Sequence, residues 1–175
     1  MSSYDKAIYL NPQDAVDYVY RGEAYTAKGD LDSAIADYTE AIRLYPQDSV
    51  PYNERADAYY KKGDRDGAIS DYTEVIQHSP QYSHAYYGRG LAHVGRLDYD
   101  SAIVDFDMAI HLYDRSADYY YVRGFSHYHK QNYDNAIADF ETVLKMKPNY
   151  PLAKESLGFA RLIKSKQNNC ATPPT

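Results

Sequence analysis

The chain has 175 residues, a formal net charge of −6 and a pI near 5.4. That length suits one domain or one solenoid segment, and the acid surplus argues against nucleic acid as a partner, because phosphate binding needs an excess of Lys and Arg. A single cysteine, Cys170, excludes an internal disulfide framework and a cysteine zinc site. No apolar run has the length of a membrane span, and the opening MSSYDKAIYL lacks a signal peptide's apolar core. The expectation is a soluble protein, cytoplasmic by default, without a membrane partner.

In chain order, the first structured stretch is YDKAIYLNP at 4–12. A periodicity further along the chain gives this stretch its meaning. Ala34, Ala68, Ala102 and Ala136 stand 34 residues apart, each with Ile as its next residue. Asp32, Asp66, Asp100 and Asp134 hold one column of the same period, and Asp37, Asp71, Asp105 and Asp139 another. Tyr18, Tyr52, Tyr86 and Tyr120 align upstream, as do Arg21, Arg55, Arg89 and Arg123. Four uninterrupted copies therefore occupy 15–48, 49–82, 83–116 and 117–150. Tyr4, Ala7 and Pro12 match Tyr38, Ala41 and Pro46, so residues 1–14 read as the second half of a repeat. Met1 is then best read as a start placed inside a longer protein.

Each copy contains two segments of helical length. Tyr18, Gly22 and Tyr25 fall on one helical face, and Ala34, Ile35, Tyr38, Ala41 and Ile42 on another. Asp14 is positioned to cap the first helix of copy one, and Gly29-Asp30 to turn into the second. Copy two repeats this plan, with Pro51 in a first turn and Gly63-Asp64 as its turn. Copy three turns at Gly95-Arg96-Leu97-Asp98, and Ser116 offers a cap for the next helix. Copy four turns at Gln131-Asn132. Residues 151–167 read as a C-terminal capping helix with a stripe of Leu152, Leu157, Ala160 and Ile163, and residues 168–175 as a disordered tail.

With these columns in place, the chain resembles the tetratricopeptide repeat family, whose 34-residue pattern of aromatic, Leu-Gly, Tyr, Ala, Phe and Pro it shares. Tyr opens the pattern here, Arg stands in the Leu column, and the later Tyr column reads Tyr25, Tyr59, His93, His127. The resemblance implies an all-α fold: a right-handed superhelix of four full helix-turn-helix repeats, a leading half repeat and a final helix. It also implies a concave groove, lined by first helices, that binds segments of other proteins. On those columns the candidate partner-binding residues are Tyr20, Glu23, Asn53, Asp57, Tyr60, Tyr87, Leu91, Tyr121, Phe125 and Tyr128. So aromatic a lining suits interface anchors, since Tyr buries much area at low entropic cost.

The family's chaperone-binding members grip a terminal carboxylate with Lys and Asn at the fifth and ninth columns. Here those columns hold Val19 and Glu23, Asn53 and Asp57, Tyr87 and Leu91, Tyr121 and Phe125, so the clamp is absent. The expected partner is an extended or helical protein segment with apolar or aromatic anchors and some basic residues. The alternative is self-assembly of copies through the half repeat. The Arg and Asp columns predict a ladder of internal ion pairs rather than an anion site. His127 and His129 lie on different faces and cannot chelate together, so no metal is expected. No phosphate loop, nucleophile elbow or paired-His motif is present. No enzyme activity and no cofactor are expected.

Overall fold

The computed structural model describes residues 3–171, with side-chain surroundings as far as 167. Among these residues there are ten helices and no strand: α1 Ser3–Leu10, α2 Ala15–Lys28, α3 Leu31–Leu44, α4 Ser49–Lys62, α5 Arg65–His78, α6 Ser83–Gly95, α7 Tyr99–Leu112, α8 Ala117–His129, α9 Tyr133–Met146 and α10 Ala153–Ala171. None is long and apolar enough to cross a membrane. The helices pair in sequence as hairpins of an α–α solenoid. Two compact units divide the chain, one through Ala92 and one from His93.

In the first unit α2 packs on α3 and α4 on α5, while α3 meets α4 and the half-repeat helix α1 meets α2. Its interior is built from the small-residue columns. Ala34, Ala41, Ala56, Ala58 and Ala68 are fully buried around Tyr38 and Tyr72. A Cβ on Gly22 would stand 2.6 Å from the Tyr38 ring, so glycine there sets how closely α2 approaches α3. In the second unit α8 pairs with α9, and α10 lies against α9 and α8. Phe140, Val143, Leu157 and Ala160 form its core with Ala136 and Ala153.

The predicted ion pairs are present within the first, second and fourth hairpins. Arg21, Arg55 and Arg123 each send Nε and Nη2 to both oxygens of the aspartate sixteen residues on, Asp37, Asp71 and Asp139, at 2.6–2.9 Å. Nη1 turns the other way, to Asp5, Thr39 and Asp107 on the preceding second helix; Arg89 likewise reaches Thr73 at 3.1 Å. The opening tyrosines lie under these guanidiniums, with Tyr18, Tyr52, Tyr86 and Tyr120 centred 5.6–5.8 Å from them. Hydrogen bonding to Asp37 and to Asp139 holds the Arg21 and Arg123 guanidiniums above their usual pKa. Burial pushes the Asp71 carboxyl up against the pull of Arg55. These pairs cost desolvation free energy and fix geometry in exchange.

A second ladder runs along the exposed ends and was not expected. Lys62, Lys130 and Lys164 bond Asp32, Asp100 and Asp134, each from the next first helix. Such solvent-exposed pairs are screened and contribute mainly register. Lys164 belongs to α10, which therefore sits in the first-helix position of a further repeat.

Several local expectations need correction. Leu152 is not on the buried stripe of α10: it precedes the helix, with φ 66° and 61% exposure, and Ala153 takes the buried place. The helix also runs past 167, to Ala171. The rest of the expected tail, 172–175, lies outside the described residues. Ser116 stands at the N-cap of α8 but makes no side-chain capping bond, whereas Asp14 does cap α2. Gly95 ends α6 inside the helix, so the left-handed turn residues are Leu97 and Gln131, in the column held by Gly29 and Gly63.

This geometry sets two expectations for stability. Arg55→Ala strands the Asp71 carboxylate and costs about 3–5 kcal/mol in urea unfolding, and the double change Arg55→Ala/Asp71→Leu recovers part of that loss. Leu97→Gly relieves a left-handed non-glycine residue and stabilises by about 0.5–1 kcal/mol, read as a rise in the urea midpoint.

Candidate interaction faces on the first helices

In the first unit a cleft of about 710 Å³ opens between the N-terminal halves of α2 and α4, floored by the end of α3. Val16, Tyr20, Tyr45 and Val50 line it and are each roughly half exposed. Its charged residues are Asp14, Glu23 and Asp48, and no Lys, Arg or His lines it. Asp14 and Asp48 are committed to capping α2 and α4 through the Val16 and Val50 amides. Tyr20 leans on Tyr4 of α1, ring centres 6.2 Å apart. Glu23 is exposed.

A smaller cleft of about 170 Å³ lies between α4 and α6, lined by Asp57, Tyr60, Lys61, Tyr72, His84, Tyr87 and Leu91. Tyr72 reaches it from the core of α5 and donates its hydroxyl to Asp57 Oδ1. Gly88 makes the passage: a Cβ there would stand 2.4 Å from the Tyr72 ring. Arg65 lies over Tyr60, 4.2 Å from the ring centre, and donates to the Tyr60 carbonyl. Asn53, expected on the surface of this face, is nine-tenths buried at 9% exposure; its Nδ2 donates to Glu54 and its Oδ1 accepts nothing among the described residues.

Glu54 sits between the two clefts on α4. Burial pushes its carboxyl above the usual range, and the nearby Asp57 and Glu23 charges push the same way, against the Asn53 bond and Lys61. The same acids act on the repeat tyrosines. Burial first, with help from Glu54, Glu23 and Asp57, pushes the Tyr38 phenol up to about 12. Burial and the Asp57 charge likewise raise Tyr72. Glu23 of α2 and Asp57 of α4 thus both lie within electrostatic reach of Glu54, and Lys61 acts against them.

The second unit presents different chemistry. Phe125, Tyr128, Phe140, Ser156 and Phe159 enclose about 190 Å³ between α8 and α10. His129 packs on Phe125 at 4.4 Å and stacks on Tyr99 at 4.9 Å. Tyr121 is engaged inside the unit, against Phe140 and Tyr150, with its hydroxyl 3.4 Å from Ser156. Tyr150 closes a neighbouring cleft by donating to Asp118 at 2.7 Å. Burial holds the His127 imidazole below its usual pKa. Among the described residues no group of three or more His, Cys, Asp or Glu could hold a metal ion.

The candidates chosen from sequence thus divide among separate clefts. Tyr20 and Glu23 share one; Asp57, Tyr60, Tyr87 and Leu91 share a second; Phe125 and Tyr128 share a third. Tyr121 borders the fourth with Tyr150, and Asn53 lines none of them. Tyr72 and Phe159 were missed. Tyr72 sits in a core column and only its hydroxyl surfaces. Phe159 was legible, since Gly158-Phe159 and Lys164 repeat Gly124-Phe125 and Lys130 at the same 34-residue offset.

A family model described as TPR repeat matches residues 22–63 and 56–95, and one described as Tetratricopeptide repeat matches 117–150. No curated protein sequence matches. Among solved structures, the chain is similar to MamA at 26% identity and TM-score 0.84, covering 89% of this chain and 85% of that one. It is similar in fold to YrrB, a TPR protein with an unusual peptide-binding site, at 20% identity and TM-score 0.82, covering 94% and 84%. It also resembles the first TPR of Spaghetti (RPAP3) bound to the HSP90 peptide SRMEEVD, at 25% identity and TM-score 0.66, covering 68% and 94%.

The raised Glu54 carboxyl yields a signed prediction. A carboxyl whose folded pKa is raised favours the fold most below its unfolded pKa, and that stability is lost as pH rises through the folded pKa. Glu54→Gln should therefore raise Tm at about pH 7.5, and the gain should vanish near about pH 4, in paired thermal melts.

Proposed function

Because the chain belongs to the tetratricopeptide repeat family, we propose that it is a protein-interaction scaffold that holds a segment of a partner protein on its first-helix faces. It is a binding protein in this reading, not an enzyme. The observation that carries it is the set of half-exposed apolar side chains, Val16, Tyr20 and Val50, converging on a cleft between α2 and α4. Isolated exposed apolar residues need no explanation, but a cleft lined by several is a docking feature.

RPAP3 was solved with SRMEEVD, a peptide with three acidic residues and one basic. On this chain Glu23, Glu54 and Asp57 stand on the first-helix faces and would repel such a segment. The partner segment is therefore read as apolar or aromatic with basic residues. A second reading, assembly of copies through α1, draws on Tyr9 and Leu10, which are 79% and 81% exposed.

The test is capture of partners from the native lysate by wild type, by Asp57→Lys/Tyr60→Ala and by Phe125→Ala/Tyr128→Ala, after melts show that all three fold. A protein captured by wild type and lost with either pair supports the scaffold reading and tells which unit carries it. Equal capture by all three, with a sedimentation mass that rises with concentration, would favour assembly through α1.

A further inference from the structure

Most of the acids on the hairpins are committed to the fold. The buried Asp37, Asp71 and Asp139 are held by arginines, and Asp32, Asp100 and Asp134 by lysines. Asp14, Asp30, Asp48, Asp64 and Asp98 cap helices. Glu23, Glu54 and Asp57 belong to none of these sets. Asp57 receives the Tyr72 hydroxyl on one oxygen, and Glu54 a 3.3 Å bond from Asn53. Beside them the buried Asn53 Oδ1 has no donor among the described residues. The carboxylates are therefore the acceptors this face offers to a partner, since Asn53 Oδ1 is buried. Lys61 is the base nearby, and it acts on Glu54 through space. Three carboxylates outnumber that one lysine, and they stand next to an apolar cleft with no base in its lining.

We propose that the α2–α4–α6 face of the first unit binds a partner segment in which an aliphatic or aromatic side chain lies a short span from Arg or Lys, in either chain direction, the anchor seated between Val16 and Val50 and the cation on Glu23, Glu54 and Asp57. This rests on the scaffold reading and specifies the occupant of one face. Val16 and Glu23 lie two turns apart on α2, about 10 Å at the helical rise. An extended segment covers that in about three residues, which sets the spacing between anchor and base. Arg is the better fit, because a planar fork can engage two carboxylates at once while its stem lies along Tyr60, Tyr87 and Leu91. The fit also explains why Glu54 is kept ionisable in an unfavourable place: the incoming cation supplies the charge the fold withholds.

The probe is a fluorescein-labelled peptide set in which Leu or Phe precedes or follows Arg by three positions in a Gly/Ser frame, beside a matched set with Glu in place of Arg. Fluorescence anisotropy on the full chain should show binding of the Arg set and not the Glu set. That binding should weaken as salt rises, and should weaken as pH falls and Glu54, whose carboxyl is raised, protonates. Glu23→Gln/Glu54→Gln should reduce affinity about tenfold or more while Tm holds or rises. Val50→Asp should reduce it as well, with folding checked by circular dichroism.

Equal binding of the Arg and Glu sets, or unchanged affinity in the Gln double variant, overturns the proposal. So does sensitivity to Phe125→Ala/Tyr128→Ala alone, an outcome that leaves the scaffold reading standing on the second unit. A self-association signal that the peptides do not displace overturns it in favour of a second copy on this face.

Discussion

The half-buried guanidinium fork is the interaction on which the first, second and fourth hairpins depend. One arginine on a first helix grips the aspartate of its own second helix with two donors, and with the third reaches the second helix before it. Arg21, Arg55 and Arg123 do this with the same nitrogens and nearly the same distances. A leucine in that column would bury area but fix no angle. A fork fixes the rotation of one helix about its axis relative to two others. The tyrosine three residues earlier covers the guanidinium's face, which explains why the opening aromatic column is so uniform.

That rigid frame lets the first-helix faces vary in chemistry without disturbing the stack. The aromatic slot of the second helices is Tyr38 and Tyr72 in the first unit, Phe106 and Phe140 in the second. Both tyrosine hydroxyls reach across to a first helix, one to Thr26 and one to Asp57. The first unit's face is consequently wired to its core by hydrogen bonds and carries carboxylates. In the second unit the slot is dry, and the face is made of Phe125, Tyr128 and Phe159 with an imidazole beside them.

The period made the fold legible, because an uninterrupted repeat of Ala, Arg and Asp columns admits few other packings. It also made the ion-pair ladder legible, since acid and base recur at one offset. What the columns could not give was depth. Asn53 and Tyr20 were both assigned to the groove, yet one is nine-tenths buried, like Val19 in its own column, and the other, one column on, is half exposed. The lysine ladder was hidden for a simpler reason: its partners belong to different copies and stand thirty residues apart, not one period. Leu97 and Gln131 were hidden because the turn geometry is imposed by the helices on either side, which override the preference for glycine seen at Gly29 and Gly63.

A chain that pairs its acids this systematically makes an exception informative. Carboxylates could have been avoided at Glu23 and Asp57, as they are at Leu91 and Phe125 in the same column, and at Glu54, as they are at Tyr20, Gly88 and Val122 in its own. Instead, Glu54 is partly desolvated beside two like charges, an arrangement that works against the fold at neutral pH. Proteins break their own local rules mainly where binding or chemistry compensates. A docked cation would remove the repulsion and lower the Glu54 pKa at the same moment. On the proposed reading, the repulsion in the free protein would become part of the binding free energy and would select against a segment that arrives with negative charge.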